Sequence, residues 1–110
     1  IPEFVIASND HAGEAETFAK LLHSDVSGSG DSLSVAITDA QITVMTPAAY
    51  AERYGALASP MAGRSSIFGA LVFRTDSLDK IRAAASNTID EAKRVVVRVS
   101  DFDAVLEFVE

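Results

Sequence analysis

The sequence predicts an α+β domain in which one structural unit occurs twice. Three observations support this. Residues 3–46 and 67–110 read in the same order (strand, helix, irregular segment, strand, turn, strand) over stretches of equal length. Several short runs alternate apolar and polar side chains with period two, the mark of half-buried strands. Between them lie two segments whose apolar residues recur at helical spacing. A unit of this size cannot bury its own sheet face, so the two copies are expected to pair in one domain spanning residues 1–110.

Phe4-Val5-Ile6-Ala7 is apolar and partly β-branched, as in a strand. Ser8-Asn9-Asp10 then offers side chains that cap a helix. Ala15, Phe18, Ala19 and Leu22 fall at i, i+3, i+4 and i+7, one helical face. Glu14 and Glu16 early in this helix, with Lys20 and His23 late, complement its dipole. Val26 to Asp31, containing Gly28-Ser29-Gly30, reads as a loop or an irregular edge strand. Leu33, Val35 and Ile37 alternate with Ser34, Ala36 and Thr38; Asp39-Ala40 suits a tight turn, and Gln41 to Thr46 alternates again, which predicts a hairpin. Thr46-Pro47 supplies an N-cap and a proline at the first helical position, so a short helix is expected over Ala48 to Tyr54, ending at Gly55. Ala56 to Ser66, with Pro60 and Gly63, is a connector.

The opening pattern then returns. Ile67 to Thr75 reads as a strand. Leu78, Ile81 and Ala85 mark a helix capped by Asp76 or Ser77. Asn87 to Lys93 reads as a loop, Arg94 to Val99 as a strand, Ser100-Asp101 as a turn, and Ala104 to Val109 as the last strand.

Composition narrows the function. With 110 residues, 48% of them hydrophobic, the chain can bury a core without a covalent staple. It has no cysteine, which excludes a disulfide framework, a thiol nucleophile and a thiolate zinc site. Nine basic residues against sixteen acidic give a net charge of −7, unsuited to nucleic acid or to an anionic membrane surface. No apolar run approaches the length of a membrane span, and no leader pattern opens the chain, so a cytoplasmic location is expected. The chain opens at Ile1 rather than Met and closes at Glu110 beside an apolar run, which suggests a piece of a longer protein.

The second unit reads Ala70-Leu71-Val72-Phe73-Arg74-Thr75-Asp76-Ser77-Leu78-Asp79, and the first Glu3-Phe4-Val5-Ile6-Ala7-Ser8-Asn9-Asp10. Both resemble the first-strand pattern of the vicinal oxygen chelate superfamily, the glyoxalase, bleomycin-resistance and dioxygenase group. Leu106-Glu107-Phe108 resembles that group's last strand. Met45 to Gly55 is similar to the connector of bacterial glyoxalase-like proteins that carry two such domains in tandem. The resemblance implies two βαβββ modules, 3–46 and 67–110, joined by a connector helix and loop over 47–66. Their curved mixed sheet would surround a cleft. It further implies a homodimer, or pairing with another domain of the same protein.

Strand alternation then assigns the faces. Glu3, Val5 and Ala7 point into the cleft, as do Ala70, Val72 and Arg74, while Phe4 and Ile6, and Leu71 and Phe73, meet the helices. Gln41, Thr43 and Met45 share one face, and Val105, Glu107 and Val109 the matching one. Metal-dependent members of the group hold one divalent ion, and the resemblance places that set at Glu3, Thr43, Ala70 and Glu107. Alanine has no donor and a threonine hydroxyl is a poor ligand, so two carboxylates remain, a set better suited to Mg²⁺ or Mn²⁺ than to zinc. Gln41 or Asp39 joins them only if the register slips. No cofactor is therefore favoured, although a divalent metal at Glu3 and Glu107 stays open, as does Glu107 as a catalytic base.

Arg74, and Arg94 with Arg98 on one face of their strand, offer planar forks for an anion. His11 and His23 sit at opposite ends of the first helix and read as surface residues. Gly28-Ser29-Gly30 is not followed by the helix a phosphate loop requires. Tyr50 and Tyr54, four residues apart, read as packing on the connector helix.

The expected function is a glyoxalase-like domain with a degenerate metal site. It would bind a small organic ligand in the cleft, at Arg74, Arg98, Thr43 and Met45, or assemble with a partner module. The alternative is a divalent-metal-dependent lyase, isomerase or dioxygenase using Glu107. A purely structural role instead predicts a cleft filled by side chains.

Overall fold

The computed structural model describes residues 3–84, 88–90, 94–99 and 104–109. The first module comprises β1 (Glu3–Ser8), α1 (His11–Leu22), β2 (Val26–Ser29), β3 (Ser32–Ile37) and β4 (Ala40–Met45). The connector holds α2 (Pro47–Tyr54), extended by a 3₁₀ turn over Gly55–Leu57. The second module comprises β5 (Ser66–Arg74), α3 (Leu78–Ala84), β6 (Thr88–Asp90), β7 (Arg94–Val99) and β8 (Ala104–Val109). The strands form one mixed sheet in the order β2-β3-β4-β1-β5-β8-β7-β6. The sheet curls without closing, as expected of two βαβββ modules forming a curved mixed sheet.

The two modules join through their first strands, β1 and β5, which run antiparallel. Within each module the first strand lies parallel to the last, β1 to β4 and β5 to β8. The four strands at the centre of the sheet are thus the first and last of each module, and they form the floor of the concave face.

Local chemistry explains the elements. The Asp10 carboxylate accepts from the Gly13 amide and caps α1. His23 closes that helix in the left-handed region, with φ 53°. Thr46 caps α2 by accepting from the Ala49 amide, and Pro47 stands where no backbone donor is needed. The β3–β4 hairpin turns through Asp39, at φ 65°, a residue type that tolerates this region.

Two expectations are settled or corrected. Val26–Ser29 is an edge strand paired antiparallel to β3, not a loop. The stretch expected as a loop over 87–93 contains β6, in which Ile89 pairs with Val96 and packs against the core. Three residues are too few to show an alternating pattern, so the strand left no periodic trace. The expected turn at Ser100-Asp101 lies outside the described residues.

The two faces carry separate cores. On the convex face Ile6, Val35 and Val44 pack under Ala15 and Ala19 of α1. Phe4 does not join them; its ring meets Phe68 edge-on, with centroids 6.1 Å apart. In the second module Phe73 stacks on Phe108, and α3 packs over β7 and β8. On the concave face Val5, Ala7, Met45, Ala70, Val72, Val96 and Val105 form one cluster with Tyr50, Tyr54 and Leu57 of the connector.

Candidate functional site

The expected cleft face is confirmed, and the connector lies in it. Tyr50, Arg53, Tyr54 and Leu57 stand at i, i+3, i+4 and i+7, so α2 and its 3₁₀ turn present one face to the sheet. Tyr50 and Tyr54 are fully buried there, with ring centroids 5.3 Å apart. Each side chain of this size gains roughly 1.5–3 kcal/mol from burial. The connector is therefore part of the core rather than a loose cover.

β5 is shaped to receive it. The β1–β5 register shifts between Val5 and Ile6, leaving Gly69 as an extra residue. A Cβ at Gly69 would lie 2.6 Å from Cε1 of Tyr50, so only glycine admits the ring. The Tyr50 hydroxyl donates to the Gly69 carbonyl at 2.8 Å and accepts from the Ser59 amide at 2.9 Å.

The polar centre is Arg53. Its Nη2 lies 2.9 Å from Oε1 of Glu3 and 2.9 Å from Oε1 of Glu107, and its Nη1 lies 3.3 Å from Oε2 of Glu3. Glu107 is only 4% exposed. Its Oε1 also accepts from the Tyr54 hydroxyl at 2.8 Å, and its Oε2 accepts from Arg94 at 3.4 Å. The Thr43 hydroxyl donates to Glu3, and the Gln41 amide donates to Thr43 at 3.1 Å. Two carboxylates thus meet two guanidiniums in a charge-balanced cluster, and among the described residues no buried side-chain polar atom lacks a partner.

The surroundings shift three of these groups. Burial works to raise the Glu3 carboxyl, but hydrogen bonds from Arg53 and Thr43 and the Arg53 charge hold it below its ordinary value. Burial works against the charged form of Arg53, yet the hydrogen bond to Glu3 and the facing anions keep the guanidinium protonated more firmly than usual. The Tyr54 hydroxyl is pushed well above its ordinary value by burial and by the Glu107 carboxylate it donates to, outweighing the opposite pull of Arg53.

The expected anion forks have different roles. Arg94 donates to the Arg53 carbonyl at 2.9 Å, and Arg98 to the Leu57 carbonyl at 3.1 Å and to Ser59 Oγ at 2.9 Å. Both tie down carbonyls where the connector helix ends, the position at which a cation is favoured. Arg74 is exposed and makes no ion pair among the described residues. With Glu3, Gln41, Arg53, Val72 and Val109 it borders an opening of about 280 Å³ at the edge of the cleft. Met45, expected as a ligand contact, is packed in the core at 3% exposure, and Thr43 at 4% serves Glu3. Of the histidines, His11 is within hydrogen-bond distance of the Gly30 carbonyl at 2.7 Å, away from the cleft, and His23 caps α1.

Sequence reasoning missed Arg53 and its partnership with Arg94. The signal was the spacing: an arginine between two tyrosines on the inner face of a helix needs a carboxylate partner, because a buried charge is tolerated only when paired. Glu3 and Glu107 were the two carboxylates already assigned to the facing strands.

The fold is that of the vicinal oxygen chelate group. Two solved structures are similar to it. Methylmalonyl-CoA epimerase from Mycobacterium tuberculosis superposes with a TM-score of 0.66 at 16% identity, over 99% of this chain and 85% of the other. A hypothetical protein from Bacillus halodurans superposes with a TM-score of 0.67 at 13% identity, over 100% of this chain and 92% of the other. No protein-family model matches the sequence. No curated protein matches it either.

The divalent ion implied by this fold does not fit the donors at its expected position. Ala70 has no donor atom, Thr43 spends its hydroxyl on Glu3, and both carboxylates are already bridged by a guanidinium. A dication added to this balanced cluster would meet two cations at close range. Among the described residues no three His, Cys, Asp or Glu side chains are grouped to hold a metal. No helix there is long and apolar enough to cross a membrane.

Proposed function

We propose that the chain is a glyoxalase-like binding domain that takes a small organic carboxylate at the edge of its cleft, with the floor of the cleft closed by its own connector. The observation that carries this reading is Arg74, an exposed guanidinium bordering an edge opening that also reaches Glu3 and Arg53. The other arginines on this face are spent on Glu3, Glu107 and connector carbonyls. A planar fork beside the apolar Val72 and Val109 suits a carboxylate on a short hydrocarbon body. Glu3 does not repel such a ligand outright, because Arg53 already neutralises it.

The lyase, isomerase or dioxygenase alternative needs Glu107 open to a substrate or an ion. Its two oxygens instead accept from Arg53, Tyr54 and Arg94.

Titration with acetate, propionate and succinate, followed by amide chemical shifts, tests the proposal. Binding in the millimolar range that weakens with salt and is lost in Arg74→Gln is expected, as for an exposed charge pair. No shift at residues 72–74, or equal binding by Arg74→Gln, would overturn it.

A further inference from the structure

We infer that Arg53 is the resident cation of this domain: one side chain from the connector stands between the carboxylates of the two modules, where the resemblance to the vicinal oxygen chelate group implies a metal. This rests on atoms different from the Arg74 opening and holds whether or not a carboxylate binds there.

Three features assign the role. First, the position is that of a bridging point charge, with Nη2 lying 2.9 Å from one oxygen of each module. Second, the guanidinium cannot readily leave. Its Cζ lies 5.2 Å from the centre of the Tyr54 ring, and its own carbonyl is held by Arg94. Third, the hydroxyls of Thr43 and Tyr54 both donate to the carboxylates that hold this charge, Thr43 to Glu3 and Tyr54 to Glu107. The cluster needs one positive charge at its centre, and the protein supplies it covalently. A divalent ion has no charge left to neutralise. The role also gives a reason for Arg53 to lie in the connector, outside both modules: it joins them through ionic contacts without belonging to either.

Such a site has a defined behaviour when its cation is removed. Arg53→Met keeps the aliphatic bulk and removes the guanidinium between Glu3 and Glu107, leaving Arg94 on Glu107. That variant should become responsive to a small dication, whereas the wild type should not. The experiment is thermal unfolding by circular dichroism with and without 1 mM MnCl₂, together with Mn²⁺ binding by electron paramagnetic resonance. The wild type is expected to hold its Tm unchanged and to leave Mn²⁺ free. Arg53→Met is expected to melt about 10 °C lower, given the scale for losing one partner of a buried ion pair. It should recover part of the loss with Mn²⁺, and the recovery should vanish in Arg53→Met/Glu107→Gln.

If Arg53→Met does not fold alone, the Mn²⁺-dependent recovery of its far-ultraviolet signal replaces the Tm. The triple variant Arg53→Met/Glu3→Gln/Glu107→Gln should then fold without any metal. One equivalent of Mn²⁺ bound tightly by the wild type would overturn the inference. So would a folded Arg53→Met that ignores Mn²⁺, or a triple variant that stays unfolded.

Discussion

The two modules share a topology but fill it differently on the concave face. The first carries its carboxylate on its first strand, at Glu3, with a hydroxyl on its last, at Thr43. The second has only Ala70 and Val72 on the matching part of its first strand, and its carboxylate on the last, at Glu107. Neither arrangement is complete alone. The two carboxylates come from non-equivalent strands and converge on one guanidinium that belongs to neither module. A duplicated fold therefore guarantees a cleft but not a symmetric set of ligands within it; the contents are set strand by strand, and here the connector decides the outcome.

Substitutions in each module should separate their contributions. Apart from Arg53→Met, the largest effect is expected at Gly69, where the second module's first strand makes room for Tyr50 and the matching Phe4 to Ala7 stretch of the first has no glycine. Gly69→Ala drives a methyl into the ring and should cost about 2–3 kcal/mol in urea unfolding, the scale of overpacking a tight core. Ala7→Gly, on the first module, should instead cost about 1 kcal/mol through backbone entropy and a lost methyl contact.

Tyr54→Phe removes one donor from Glu107 while leaving the ring, and should cost about 1.5 kcal/mol at neutral pH. It should also change the alkaline limb. The Tyr54 hydroxyl titrates higher when folded than when unfolded, so its contribution is complete below its ordinary value of 10.0 and is lost as pH rises above it. Stability of the wild type measured above pH 10 should fall more steeply than that of Tyr54→Phe.

Glu3→Gln is expected to have the smallest effect, about 1 kcal/mol, because Glu3 is nearer the surface than Glu107 and Gln41 remains beside it. Glu3 titrates lower when folded, so its contribution is complete above its ordinary value of 4.5 and is lost as pH falls through the depressed folded value. The acid limb of the stability curve below pH 4.5 should be shallower in Glu3→Gln than in the wild type.

Much of this was legible in the sequence. Period-two alternation correctly placed Val5, Ala7, Met45, Ala70, Val72 and Val105 on the concave face, because a strand facing a dry core has no other economical pattern. The hairpin at Asp39 and the cap at Thr46 followed from local turn and capping chemistry. Two features were hidden for physical reasons. β6 is three residues long and has no period to detect. The destinations of Arg94 and Arg98 are carbonyls forty-one residues away in the connector, and main-chain acceptors leave no mark in side-chain identity. Arg53 lay between these cases: its helical face was readable from Tyr50 and Tyr54, but its partners came from opposite ends of the chain.

Arg53 and Glu107 are expected to act as one unit at the floor of the cleft. A double-mutant cycle of Arg53→Met and Glu107→Gln, measured by urea unfolding at pH 7, tests it most directly. Non-additivity of at least about 1.5 kcal/mol is expected, with the double variant more stable than the single Arg53→Met because the stranded carboxylate is gone. Additive losses, with the double variant the least stable of the set, would contradict it.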